Sequence, residues 1–147
     1  AKATVDTVAA DYTAATDIDT AALVGYTVLA DESQLRRIAK NIIDNAVKYS
    51  GRERVRIAIS AKAEDGGTVT LRFADDGRGV DDGQLDKLFD VFYRADPARE
   101  RGTEGSGIGL AVVRKAAEAM VGSAAAEKSP LGGLCICVTL KKGGTDK

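Results

Sequence analysis

Asn41, Asn45 and Lys48 fall at i, i+4 and i+7. On a helix they lie within about 60° of one another around the axis. Asn is a mediocre helix former, and each interior Asn costs roughly half a kcal/mol against Ala. Amide oxygens in a row beside an ammonium suit a hydrated Mg²⁺ and its phosphates, because Mg²⁺ takes few protein oxygens and keeps water and phosphate ligands. A solvated polar face has the same spacing. A second constellation is Asp75-Asp76-Gly77-Arg78-Gly79. A carboxylate at a strand end can accept a hydrogen bond from an exocyclic amine such as the adenine N6 group, and nearby glycines let a flat ring approach the backbone. A turn with solvated carboxylates reads the same way. The third is Gly105-Ser106-Gly107-Ile108-Gly109-Leu110, at the start of an apolar-periodic run. Glycines at a helix N-terminus expose amides and the positive dipole end to a phosphate; a bare hinge has the same composition. Its G-x-G-x-G spacing, after a long loop, is not the dinucleotide fingerprint, and no P-loop motif occurs. Between the last two, Leu88 to Arg94 holds Phe89, Phe92 and Tyr93, which fits either core anchoring or the anchor of a moving lid.

These residues need elements to hold them. Asp31 and Gln34 form a capping-box pattern ahead of Leu35, Ile38, Ala39, Ile42 and Ala46, which share one helical face. That helix is expected to end near Tyr49–Gly51, with Gly51 able to take the left-handed position after it. Val55, Ile57 and Ile59 alternate with polar residues, as do Val69, Leu71 and Phe73, and Asp65-Gly66-Gly67 supplies the turn of a hairpin. Asp81 caps a short helix around 84–89. Residues 94–106, charged and glycine-containing, read as a mobile loop. A helix is expected over 107–120, a strand over 123–128 and a last strand over 134–141. Tyr26–Ala30 reads as a strand. Residues 1–25, rich in Ala, Thr and Asp, read as a lead-in of a helix followed by a short strand. Residues 26–142 then form the domain, and 143–147 a frayed tail. The central hairpin argues for an α+β two-layer sandwich: a mixed, largely antiparallel sheet covered by helices on one face.

The 147 residues suit one core. A formal net charge of -1 gives no electrostatic case for nucleic acid. No apolar stretch approaches the roughly 20 residues of a membrane span, so the chain itself is not expected to enter a membrane. Cys135 and Cys137 share one strand face, and with no histidine in the chain they read as two small side chains rather than a zinc site. The absence of histidine leaves carboxylates, amides, lysines and backbone groups to do any chemistry.

In order and spacing, these segments resemble the catalytic, ATP-binding domain of bacterial sensor histidine kinases, over about residues 26–140. Asn41 to Ser50 resembles the N box, Asp75–Gly79 the G1 box, Phe89–Phe92 the F box and Gly105–Leu110 the G2 box. The resemblance implies a Bergerat-type sandwich, shared with DNA gyrase, the MutL repair proteins and heat-shock chaperone ATPases, with ATP and Mg²⁺ as cofactors. It implies Asn45 as the Mg²⁺ ligand with Asn41 one turn earlier, Lys48 on phosphate and Tyr49 beside the nucleotide. Asp75 would bind the adenine amine, with Gly77 and Gly79 permitting close approach. Gly105, Gly107 and Gly109 would face the phosphates with Leu110 behind them. Residues 94–106 would be the ATP lid, from which Arg99 or Arg101 could reach the γ-phosphate.

The chain departs from the family in two places. Met120-Val121-Gly122-Ser123 stands where members often carry His-Gly-Gly, and Leu134-Cys135 where they often carry a Ser or Thr that supports the adenine site. The resemblance also implies that the γ-phosphate goes to a histidine on a dimerisation and phosphoacceptor domain of the same full-length protein, and from there to a response regulator receiver domain. Alone, this chain would not autophosphorylate on histidine. The full-length protein would be membrane-anchored, with this domain on the cytoplasmic side. An anti-sigma-type serine kinase and a non-catalytic nucleotide-sensing docking module share the sandwich and remain alternatives at this point.

Overall fold

Apolar side chains recurring every second residue make strands here, and those recurring every third or fourth make helices. The computed structural model describes residues 2–12, 16–23, 28, 32–49, 54–64, 66–77, 85, 89 and 109–142. In chain order its elements are α1 (Lys2–Ala9), a 3-10 turn (Ala10–Tyr12), β1 (Thr16–Ala22), α2 (Glu32–Tyr49), β2 (Val55–Glu64), β3 (Thr68–Asp75), α3 (Gly109–Ala119), β4 (Ser123–Lys128) and β5 (Leu134–Lys141). The five strands form one sheet in the order β1-β2-β3-β5-β4. β1 runs parallel to β2, and the other neighbours are antiparallel. This is the mixed, largely antiparallel sheet expected from the sequence.

The hairpin joining β2 and β3 turns through Gly66 and Gly67, at φ 86° and 80°. Both angles lie in the left-handed region that side chains disfavour, which is why the turn uses two glycines. In register, Ile57, Ile59, Phe73, Leu71, Ile136 and Val138 fall on one sheet face. They are buried in one cluster with Leu35, Ile38, Ala39, Ile42 and Ala46 of α2 and Val113 of α3. The helix stripe read from the sequence is thus the stripe that faces the sheet, and Ile43 joins it.

The first 25 residues supply a helix and a strand, as expected, but they are more than a lead-in: Val5, Val8 and Leu23 are buried in the same cluster, and β1 lengthens the sheet. Of the Tyr26–Ala30 stretch, the described residue is Val28, which bridges to Lys142. The expected cap at Asp31, the Gly51 position, the Asp81 cap and the loop 94–106 lie outside the described residues.

The end of α3 explains one departure noted above. Gly122 donates to the Ala117 carbonyl at 2.8 Å and Val121 to the Glu118 carbonyl at 3.0 Å. That bond pair closes a helix through a left-handed residue at the position usually held by glycine. Here the residue is Val121, at φ 61° and 73% exposed. A β-branched side chain is strained there and packs on little. Val121→Gly is therefore expected to stabilise the fold by about 0.5–1 kcal/mol, the strain relieved less the added chain entropy of glycine. The midpoint of urea unfolding measures it.

Candidate functional site

Asp75 is the last residue of β3 and faces the helix layer, opposite Ile57 on one side. It is only 8% exposed. Its Oδ1 accepts two backbone hydrogen bonds, from Gly77 at 2.9 Å and from Leu134 at 3.0 Å. Its Oδ2 carries no hydrogen bond among the described residues. Burial pushes the carboxyl above its ordinary range. The Leu134 and Gly77 amides pull the other way, and the neighbouring charge of Asp76 adds to the rise. One oxygen is thus locked by amides, while the other has acceptor capacity that no described residue uses.

Gly133 closes this corner. Its amide donates to the Asp75 carbonyl at 3.1 Å. A Cβ on Gly133 would collide with Asp75 Oδ1 and stand 2.6 Å from the Gly77 nitrogen and 2.7 Å from the Asp75 carbonyl oxygen. The turn before it is pinned: Leu131 donates to Ser129 Oγ at 2.9 Å, and Ser129 to the Gly133 carbonyl at 2.9 Å. Gly133 and the Leu134 amide are site elements that the sequence reading missed. The glycine pair 132–133 was the visible signal, but it reads equally as a turn. At this corner the bond from the Leu134-Cys135 stretch to Asp75 comes from the Leu134 backbone amide, which needs no hydroxyl. Asp76 steadies the other side by accepting from the Arg56 amide at 2.9 Å and donating its own amide to the Arg56 carbonyl at 3.0 Å.

The second part lies along α2. Asn41 donates through Nδ2 to the Arg37 carbonyl at 2.8 Å. A carbonyl acceptor fixes which end of the amide is nitrogen, so Oδ1 is the acceptor end left to a ligand. Asn45, one turn on, is half-buried. Lys48 pairs with Asp44 at 3.1 Å, and Tyr12 of the 3-10 turn donates to the other oxygen of Asp44 at 3.4 Å. A half-exposed i, i+4 pair of this kind is worth about 0.3–0.5 kcal/mol. Phosphate can therefore recruit the ammonium at little cost. Arg36, Arg37 and Lys40 line, with Ser33, Asn41 and Val112, a groove of about 430 Å³ between α2 and α3. Asp44 and this basic groove were not singled out from the sequence.

The third part is the start of α3. The described helix begins at Gly109, and Leu110 is buried. Phe89 is buried too, with the Arg114 guanidinium 4.7 Å over its ring, so Phe89 is anchored on α3. Gly79, Arg99, Arg101, Gly105 and Gly107 lie outside the described residues, as does the side chain of Tyr49. The structure therefore joins Asp75 and Gly77 with Gly133 and Leu134, and sets Asn41, Asn45 and Lys48 on the helix packed over the same sheet face. No helix among the described residues is long and apolar enough to cross a membrane.

The sequence of BaeS, a signal transduction histidine-protein kinase of Escherichia coli K12, is 41% identical over 114 residues, covering 78% of this chain and 24% of that protein. The sensor histidine kinase CpxA of the same strain is 38% identical over 106 residues, covering 72% of this chain and 22% of that protein. This chain thus spans about a quarter of the length of these relatives. Among solved structures, full-length ShkA in complex with AMPPNP is 28% identical with a TM-score of 0.74, over 97% of this chain and 30% of that one. The ATP-binding domain of PrrB from Mycobacterium tuberculosis matches in fold, with a TM-score of 0.72 at 24% identity over 97% of this chain and 94% of that one. Residues 30–144 match the model of the histidine kinase-, DNA gyrase B- and HSP90-like ATPases, and the chain belongs to that family.

Proposed function

We propose that this chain is the catalytic unit of a sensor histidine kinase, holding Mg-ATP and presenting the γ-phosphate to a histidine elsewhere. The observation that carries the reading is the Asp75 corner: a buried carboxylate with Oδ1 locked by two amides, Oδ2 without a hydrogen bond among the described residues, and a glycine at 133 that leaves no room for a side chain. That corner fits the adenine amine as donor to Oδ2, with Gly77 and Gly79 flanking the ring. Asn45 and Asn41 offer the amide oxygens for Mg²⁺, which when bound supplies charge to offset the phosphates. Lys48, released from Asp44, contacts phosphate, and Tyr49 flanks the nucleotide. Gly105, Gly107 and Gly109 line the phosphate side, with Arg99 or Arg101 reaching the γ-phosphate.

Transfer breaks the bond between the γ-phosphorus and the β,γ-bridging oxygen, so that ADP leaves, and forms a phosphorus–nitrogen bond to an imidazole whose proton passes to an external base. Such transfer depends mainly on positioning and charge stabilisation. The chain has no histidine, so the acceptor lies on another segment. We assign it to a dimerisation domain of the full-length protein. A response regulator receives the phosphate next, and the intact protein is membrane-anchored with this unit on the cytoplasmic side.

Calorimetry with a non-hydrolysable ATP analogue tests the first half. Binding is expected with Mg²⁺ and is expected to weaken when Mg²⁺ is chelated; no binding under either condition sinks the reading. Asn45→Ala is expected to remove most of the Mg²⁺ dependence. The second half is tested by supplying a histidine-bearing helical hairpin and labelled ATP. Acid-labile, base-stable phosphate on the hairpin supports the reading, and acid-stable phosphoserine on a partner instead would point to a serine kinase.

A further inference from the structure

The sheet face turned away from the helices holds a second constellation. In register, Arg72 lies opposite Cys137, and Ala74 and Glu127 flank Cys135. The two sulfurs are 3.8 Å apart. A carboxylate oxygen of Glu127 lies within 4.8 Å of both. Arg72 forms an ion pair with Glu127 Oε2 across β5. Cys135 is fully buried, Cys137 half-buried and Glu127 exposed, so the group opens to solvent on one side. Both cysteines are free thiols. Alternate residues of an extended strand stand about 6.6–6.8 Å apart at Cα, the far end of what a disulfide spans. A cation between the sulfurs fits this spacing better than a bond.

Against the sequence reading of two small side chains, which did not include Glu127 from the neighbouring strand, we propose that Cys135, Cys137 and Glu127 bind one thiophilic divalent cation of the zinc type, with water in the fourth position of a tetrahedron. Sulfurs each about 2.3 Å from a tetrahedral ion stand about 3.8 Å apart, which is the separation found. A linear two-coordinate ion would hold them wider. Arg72 occupies one carboxylate oxygen of Glu127 and leaves the other to the metal, the orienting role outer partners play at metal sites. With both thiols ionised, the charges of the cation and Arg72 balance those of the three ligands. Mg²⁺, which takes oxygen ligands, does not compete for this site.

The test is a titration of the reduced, metal-free chain with Co²⁺ in excess Mg²⁺. One equivalent is expected to bring up thiolate-to-cobalt charge-transfer absorption and intense tetrahedral ligand-field bands, both erased by Zn²⁺. Cys137→Ser and Cys135→Ser are each expected to remove most of the charge-transfer absorption. Glu127→Gln is expected to keep it while lowering affinity on the order of 10–100-fold, the range that loss of even an outer partner produces. Circular dichroism and urea midpoints establish that the variants are folded; should Cys135→Ser unfold, the exposed Glu127→Gln and half-buried Cys137→Ser carry the test. No charge-transfer absorption in the folded, reduced protein overturns the proposal, as does absorption undiminished in Cys137→Ser.

Discussion

Gly133→Ala is expected to destabilise the fold by about 1–3 kcal/mol, as overpacking does, and to weaken binding of an ATP analogue about 10–150-fold, the equivalent of one lost charge-assisted hydrogen bond. The added methyl would meet Asp75 Oδ1, the Gly77 nitrogen and the Asp75 carbonyl oxygen. Two of these are backbone atoms at the end of a paired strand. Retreat would mean drawing the start of β5 away from β3, breaking the Gly133 bond to the Asp75 carbonyl and the Leu134 bond to Oδ1. The turn cannot absorb the shift easily, because Gly132, at φ 103°, donates to the Ser129 carbonyl at 3.0 Å and Ser129 is tied to Gly133 in turn. Urea unfolding and calorimetry read the two effects separately. A variant with wild-type midpoint and wild-type affinity would show that the start of β5 moves freely, against this account.

Asp75→Asn is expected to separate stability from binding, moving them in opposite directions. Burial raises the folded-state pKa above the unfolded value. The sign follows from linkage: the folded state favours the protonated form, so ionisation works against the fold. That penalty is absent below the unfolded pKa, grows between the two values and is constant above the folded one. Asparagine keeps an acceptor for the Gly77 and Leu134 amides without the charge. The variant is therefore expected to be more stable than wild type at neutral pH, with the difference vanishing as pH falls below the carboxylate range. Its other amide end is a donor, however, and would face the donor of an adenine amine. Affinity for the ATP analogue is expected to fall about 10–150-fold, the range for a lost hydrogen bond to a charged group. Unchanged affinity would refute Asp75 as the adenine contact, and a wild type that is the more stable form at neutral pH would refute the desolvation account.

How much of this was legible depended on how local each signal was. The α2 stripe from Leu35 to Ala46 was legible because a 3.6-residue period needs no knowledge of the partner surface. The hairpin was legible because Gly66 and Gly67 announce the left-handed turn they make. Asp75 could be picked out as an acid at a strand end, yet not as a locked carboxylate. Its partner Leu134 is 59 residues away, and only the pairing of β3 with β5 brings them together. The burial of Val5, Val8 and Leu23 was hidden for the same reason: Ala, Thr and Asp give weak local periodicity, and tertiary packing decides the outcome. The Arg72–Glu127 pair spans an intervening strand, so no pattern within one strand could show it.

The sheet order has an evolutionary side. β3 and β5 lie side by side although the chain leaves at Asp75 and returns only at Leu134. Their pairing already closes a long loop, and the entropy of closing a loop grows only with the logarithm of its length. Doubling a flexible loop adds about 0.6 kcal/mol. The stretch between Gly77 and Gly109 can thus lengthen or shorten at small thermodynamic expense while the register that holds Asp75 against Leu134 stays intact. A family with this topology can vary that stretch without rebuilding the corner in which Asp75 meets Leu134.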